Sequence, residues 1–267
     1  MSPVTSAAAV FRALGGGRRL PRERSRRRSP PQGDLHLIPV LHEDAALVAV
    51  DKPSGLPVIP ARGEPAERCV RRQLEVQRGE RLWVVHRLDR DASGVLVLAR
   101  TAEAHRALSV AFEQRMVEKA YLAFVAGAPA AARGRIGLPL HAARRGKTRP
   151  AHPGEPGARA ASTDYAVQHT WRRGAEAVSL VEARPLTGRQ HQIRVHLRAL
   201  GVPLLFDEVY GRGVALAGFE AAPARRLALH ASRLVVPPGP GAEPLRLEAL
   251  LATDLEALRA WLDGWAS

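Results

Sequence analysis

The stretch VVHRLDRDASGVLVLART, residues 84–101, sets Asp89 and Asp91 between arginines and beside apolar runs. The runs LWVV and GVLVLA read as short buried strands, because each is brief, rich in β-branched residues and bounded by polar or turn residues. Carboxylates held next to a core are costly unless they are paired or used. In an extended segment Arg87, Asp89 and Asp91 share one face, while His86, Leu88 and Arg90 share the other. A cation at Arg87 would favour the ionised form of Asp89, the form that a nucleophile or base needs. The same pair also reads as an ordinary surface salt bridge, which contributes little.

Two further segments carry chemistry-bearing types. In KAYLAFV, alternation puts Lys119, Tyr121 and Ala123 on one face and Ala120, Leu122 and Phe124 on a core face. Tyr121 is then an aromatic beside a cation, suited to stacking on a flat ring and to proton transfer, or else a half-buried sheet tyrosine. In TGRQHQIRVHLRALG a helix would bring Gln190 and Arg194 to one side, with Arg198 one turn on. The planar fork of Arg194 could reach a carboxylate or phosphate; a solvated basic face is the plainer reading. His191 and His196 stand five apart with no glutamate after the first, the wrong spacing for a zinc-binding helix, so no metal site is expected.

These residues need a scaffold, and the surrounding pattern describes one. LVAVDKPSG reads as a strand ending at a Pro-Gly turn, and LPVIPA as a short extended piece. Residues 64–78 read as a helix. TAEAHRALSVAFEQRMV has apolar positions at 104, 107, 108, 111 and 112 and an N-cap at Thr101, the pattern of an amphipathic helix. Residues 141–161, rich in cations and prolines, read as a long surface loop or irregular hairpin. STDYAVQHTW and EAVSLVEARPL look like strands around the turn RRGA. RLALHASRLVVP adds a strand and ATDLEALRAWLDGW a closing helix. Strands outnumber helices without regular alternation, which predicts an α+β fold with a central mixed, largely antiparallel sheet and flanking helices.

The 267 residues suffice for a substantial core, and 46% of them are hydrophobic. Forty Lys and Arg against 26 Asp and Glu give a net charge of +14, a field that favours polyanions, nucleic acid first among them. Residues 1–33 carry eight arginines and one acid, for +7 (8 − 1), with no hydrophobic period; they read as a disordered basic arm ahead of a domain over 34–267. The single cysteine, Cys69, leaves no intrachain disulfide and suits a reducing cytoplasm. No run reaches the roughly 18 apolar residues that a membrane span needs.

Taken together the segments resemble the RluA-type family of RNA pseudouridine synthases. HRLDRDASGVLVLAR is similar to the family's His-Arg-Leu-Asp signature, with Ala92 in place of Thr and Val95 in place of Leu. LVAVDKPSGLPV looks like its first motif, KAYLAFVAG its Lys-x-Tyr motif and LTGRQHQIRVHLRALGVPLLFDEVYG its third, while RLALHASRLVV fits its closing strand. The likeness runs in order over roughly residues 37–236.

The resemblance implies an RNA-binding cleft along the sheet and isomerisation of uridine in ribosomal or transfer RNA, with no metal, nucleotide or redox cofactor. It implies that Asp89 is the catalytic aspartate, that Tyr121 stacks on the target uracil and that Arg194 forms a salt bridge with Asp89. Arg87, His86, Lys119, Arg189 and Gln190 are the expected RNA-contacting set around them. A soluble cytoplasmic monomer is expected. The alternative is a catalytically silent RNA-binding protein on the same scaffold; a glycosidase with paired carboxylates is a weaker one, since Asp91 stands only two residues from Asp89 among cations.

Overall fold

A computed structural model of the chain describes residues 37–152, 154–211, 216–238 and 243–266; the basic arm expected over 1–33 lies outside the described residues. Ten strands form one mixed sheet. Its left half holds β1 (Val40–Glu43), β2 (Leu47–Lys52), β3 (Trp83–Val84) and β4 (Ser93–Ala99). Its right half holds β5 (Glu118–Ala126), β6 (Arg133–Ile136), β9 (Thr163–Arg173) and β10 (Glu176–Pro185). Between the halves lies β11 (Leu229–Val236), bonded to β4 on one side and β5 on the other, with β12 (Leu245–Glu248) attached to it. The β4–β11 pair is parallel and the other pairs are antiparallel. A separate hairpin of β7 (Leu140–Ala142) and β8 (Thr148–Pro150) opens the segment expected to be a surface loop or irregular hairpin.

Among the described residues four α-helices cover this sheet: α1 (Val70–Arg78), α2 (Ala102–Glu113), α3 (Gln192–Ala199) and α4 (Thr253–Asp263). Alternation along β4 decides two of the packings. Val95, Val97 and Ala99 meet Ala104, Leu108 and Ala111 of α2, whereas Leu96 and Leu98 meet Val70 and Leu74 of α1 on the opposite face. Likewise Ala123 and Val125 of β5 pack with Ile193 and Leu197 of α3, and Phe124 and Ala126 with Leu255, Leu258 and Leu262 of α4. The helix α2 starts as its sequence predicts, with the Thr101 hydroxyl accepting from Ala104 N–H at 3.1 Å.

Three expectations are corrected. Helix α1 begins at Val70 and not near residue 64, because Gly63 and Pro65 hold the preceding residues in turns. The LWVV strand is only two residues long, and residues 85–89 run outside the ladder. Strand β5 has no single core face: it is central, so Ala123 is as buried as Phe124, and only its first residues border open space.

One glycine fixes how the halves meet. Gly94 takes φ +108°, and a Cβ there would lie 2.2 Å from the carbonyl oxygen of Ala231 on β11. No side chain fits between the two backbones. Gly94→Ala is expected to destabilise the fold by at least about 3 kcal/mol, combining backbone strain with overpacking, as read from the denaturant midpoint.

Candidate active site

One cleft of about 920 Å³ is lined by all eight singled-out side chains: His86, Arg87, Asp89, Lys119, Tyr121, Arg189, Gln190 and Arg194. They come from three places: the crossing between β3 and β4, the first half of β5, and the loop and first turn of α3. Tyr121 packs where the clusters under α1 and α3 meet, at the centre of the cleft floor.

The carboxylate of Asp89 is partly exposed and pairs with Arg194, whose Nη1 donates to Oδ2 at 3.0 Å. Arg194 is itself buried on α3 and held from behind. Its Nε and Nη2 donate to the two oxygens of Asp207 at 2.8 Å each, a bidentate fork. Asp207 also accepts from the backbone N–H groups of Val209 and Tyr210, at 3.0 and 2.9 Å. Burial alone would raise the Asp207 pKa, but Arg194 and these N–H groups hold it below the usual carboxylate range. Burial likewise works against charge on Arg194, and Asp207 and then Asp89 outweigh it, so its pKa rises. Arg194 is thus a fixed cation: Asp207 holds its Nε and Nη2, and its Nη1 faces Asp89.

His191 sits on the other side of that carboxylate. Its Nε2 is 3.9 Å from Asp89 Oδ1, and its Nδ1 lies 2.8 Å from the Tyr210 hydroxyl, which accepts from Thr148 N–H in β8. Burial lowers the His191 pKa, opposed by Asp89, so the neutral ring is favoured. On the floor, burial and then the Asp89 charge push the Tyr121 phenol above its ordinary range, keeping it protonated.

Lys52 supports the turn after Asp89 from below. It is fully buried at the end of β2, and its ammonium donates to the carbonyls of Pro53, Arg90 and Ala92, each at 2.7 Å. Burial pulls its pKa down to about 7, while Asp91 and Asp89 act to raise it. Ala92, where the signature has Thr, is buried in the α3 cluster and contributes its carbonyl to this clamp.

Several sequence expectations shift. Arg87 is exposed on the cleft lining and does not pair with Asp89, because the segment leaves the strand before Asp89 and strict alternation no longer applies; the pairing cation is Arg194, as the resemblance implied. His86 turns inward: its ring stacks on Phe112 at 4.4 Å between centroids and its Nε2 accepts from Val97 N–H at 3.0 Å. Burial and then Lys119 bring its pKa down to about 3, so it carries no charge to offer a phosphate. Gln190 does not share a helix face with Arg194. His191 adopts φ +53°, outside helical geometry, and α3 starts after it, with Gln192 Oε1 accepting from Arg189 N–H at 3.0 Å. The Gln190 amide instead donates to Gly146 O of the β7–β8 hairpin at 3.1 Å. Asp91 does not line the cleft, so the two aspartates do not flank a common substrate.

Sequence reasoning missed Asp207, Tyr210, His191 and Lys52. Asp207 had a usable signal, an acid set against the apolar run PLLF, the same oddity that drew attention to Asp89. Among the described residues no group of three or more His, Cys, Asp or Glu could hold a metal ion.

A mixed sheet with a cation-rich cleft, a tyrosine on its floor and an aspartate locked by a buried arginine suits an enzyme whose substrate is polyanionic. The comparisons are narrower. Residues 46–199, more than half the chain, match the family RNA pseudouridylate synthase. The chain is 36% identical over 234 residues to "Ribosomal large subunit pseudouridine synthase D" of Xanthomonas campestris, covering 84% of this chain and 69% of that protein. It is 38% identical over 213 residues to "Dual-specificity RNA pseudouridine synthase RluA" of Escherichia coli K12, covering 78% and 90%. Among solved structures, "Human RNA Pseudouridylate Synthase Domain Containing 4" aligns with a TM-score of 0.65 at 28% identity, over 83% of this chain and 93% of that one. The chain belongs to the RNA pseudouridylate synthase family, of RluA type, and is an isomerase that converts uridine in RNA to pseudouridine.

Proposed function

We propose that residues 34–267 form a catalytic domain that acts as a monomer in the cytoplasm on uridines of structured ribosomal or transfer RNA, with Asp89 as the catalytic carboxylate. The observation that carries the assignment is the chain Asp207–Arg194–Asp89: a buried, doubly held guanidinium fixes one carboxylate oxygen and leaves the other in the cleft. The reaction breaks the N1–C1′ bond of uridine, joins C1′ to C5, releases the C5 hydrogen as a proton and returns a proton to N1. Asp89 serves the sugar end, as nucleophile at C1′ or as base toward a sugar proton, and both roles require its ionised form. Tyr121 stacks on the uracil after the nucleotide is flipped out of the RNA, and Arg87 contacts the displaced strand. His86 supports the floor from inside, and Arg189, Lys119 and Gln190 line the approach.

A silent RNA-binding protein on this scaffold has no use for the Asp207–Arg194–Asp89 chain, whose charges are costly to bury. The name of the first relative above supports ribosomal RNA as a substrate to test, and the dual specificity in the name of the second supports testing another RNA class, transfer RNA, beside it. Pseudouridine mapping over both classes, in cells with and without the gene, is expected to show at least one site lost with the gene and restored by the intact chain. A map without change would overturn the substrate assignment. Purified protein is expected to release the C5 hydrogen of the mapped uridine in EDTA without added nucleotide; loss of turnover in EDTA that zinc restores would oppose the cofactor-free reading.

A further inference from the structure

Six cations line the cleft: Arg87, Arg90, Arg115, Lys119, Arg189 and Arg194. Among the described residues two acids line it with them, Asp89 and Glu113. Arg90 pairs with Glu64 at 2.5 Å, and Arg194 with Asp89 and Asp207. Among the described residues Arg115, Lys119 and Arg189 have no carboxylate within salt-bridge distance, Glu113 included, although they lie close enough to repel one another.

Their placement is built from three elements. Lys119 leaves β5 toward the loop before α3, where a Cβ on Gly188 would lie 3.9 Å from its Nζ. Arg189, the next residue of that loop, is pinned through its backbone N–H to Gln192 Oε1 at 3.0 Å and through its Nε to Ala160 O at 3.3 Å. Arg115 closes the turn after α2 at φ +60°, a conformation glycine would adopt with less strain, and its side chain lines the cleft. Burial and then Arg115 depress the Lys119 pKa; burial, then Arg159 and Arg115, depress that of Arg189. Cations gathered without a counter-charge are stabilised by whichever anion reaches them.

We propose that Arg115, Lys119 and Arg189 form a subsite for one phosphodiester of the RNA next to the target uridine. The assignment rests on the reading of Tyr121 as the uracil platform. Lys119 stands two residues from Tyr121 on one face of β5, about 7 Å away, within the reach of a single nucleotide from the stacked ring. The ligand is a backbone phosphate, because three clustered cations without a counter-charge suit a full negative charge better than the neutral edge of a base.

The test uses the full chain and an RNA stem-loop carrying the mapped uridine, with uncharged methylphosphonate placed at one linkage at a time. Lys119→Gln and Arg189→Gln are each expected to weaken binding about five- to tenfold. With Arg115→Gln added, the dependence of log K on log salt should flatten by about 0.7, the share of one single-strand phosphate. Lys119→Arg should keep the affinity that Lys119→Gln loses, which separates lost charge from lost fold. Methylphosphonate at one linkage adjoining the uridine should weaken the parent protein by the same factor and the variants no further. Unchanged affinity and salt slope in the triple variant, or a variant defect that persists with methylphosphonate at each linkage, would overturn the subsite. Binding reads this independently of turnover: failure of the parent chain to convert uridine would sink the catalytic reading and leave the phosphate measurement standing.

Discussion

Asp89→Asn is expected to lower turnover by at least about three orders of magnitude, the scale seen when a group acting in covalent or acid–base chemistry is removed. Asparagine keeps the shape, and its amide oxygen can still accept from Arg194, which reaches Asp89 at 3.0 Å. What it loses is the negative charge and the basicity. RNA affinity should hold or rise, since a carboxylate beside phosphates repels them. Arg194→Ala should cost heavily in the parent and little more once residue 89 is Asn, because the two act as one unit. Single-turnover assays at saturating RNA, with thermal melts alongside, decide the matter. Near-parent conversion by a folded Asn variant would refute the assignment.

The second large effect is expected at Asp207, which never meets the cleft. Asp207→Asn strips the bidentate partner from a buried guanidinium and is expected to destabilise the protein by about 3 kcal/mol, the cost of breaking a buried pair from one side. Turnover should fall by about a hundredfold in molecules that remain folded, because Arg194 is then free to leave Asp89. Replacing the pair together, Arg194→Met with Asp207→Leu, should recover much of the stability and none of the activity. Recovery of both would mean that the ion-pair chain is scaffolding alone. A denaturant midpoint and a single-turnover rate on each variant separate these results.

How much of this was legible beforehand follows from what each signal depends on. The helix α2 was readable to its first residue, because Thr101 caps it locally and its apolar spacing is carried by one segment. The sheet class was readable from the count of strands, and the expected site residues, which line one cleft, came from a resemblance that runs through five ordered segments. Strand β6 and strand β12 escaped notice, since RGRI and LRLE are short, partly exposed and make sense only beside their partners. Alternation misplaced the neighbours of Asp89 and the open face of β5, because it assumes a continuous strand with one wet side. Asp207 is paired with Arg194 across 13 residues and a turn, a partnership set by tertiary folding that no spacing rule reports.

The central position of β11 bears on the order of assembly. Asp89 follows β3 in the left half, whereas Tyr121 and Arg194 belong to the right half, and β11, residues 229–236, is the strand bonded to both. A ribosome delivers it after every one of those residues. The nascent chain can therefore collect each half early, through contacts short in sequence, but the ladder joining them waits for β11, the kind of distant pairing that slows folding. Chains stalled or cleaved before Leu229 would hold every catalytic residue yet lack the strand that bonds the halves together. Assembly of the joined site therefore follows synthesis of β11, because Asp89 and Arg194 meet across the halves that this strand bonds together.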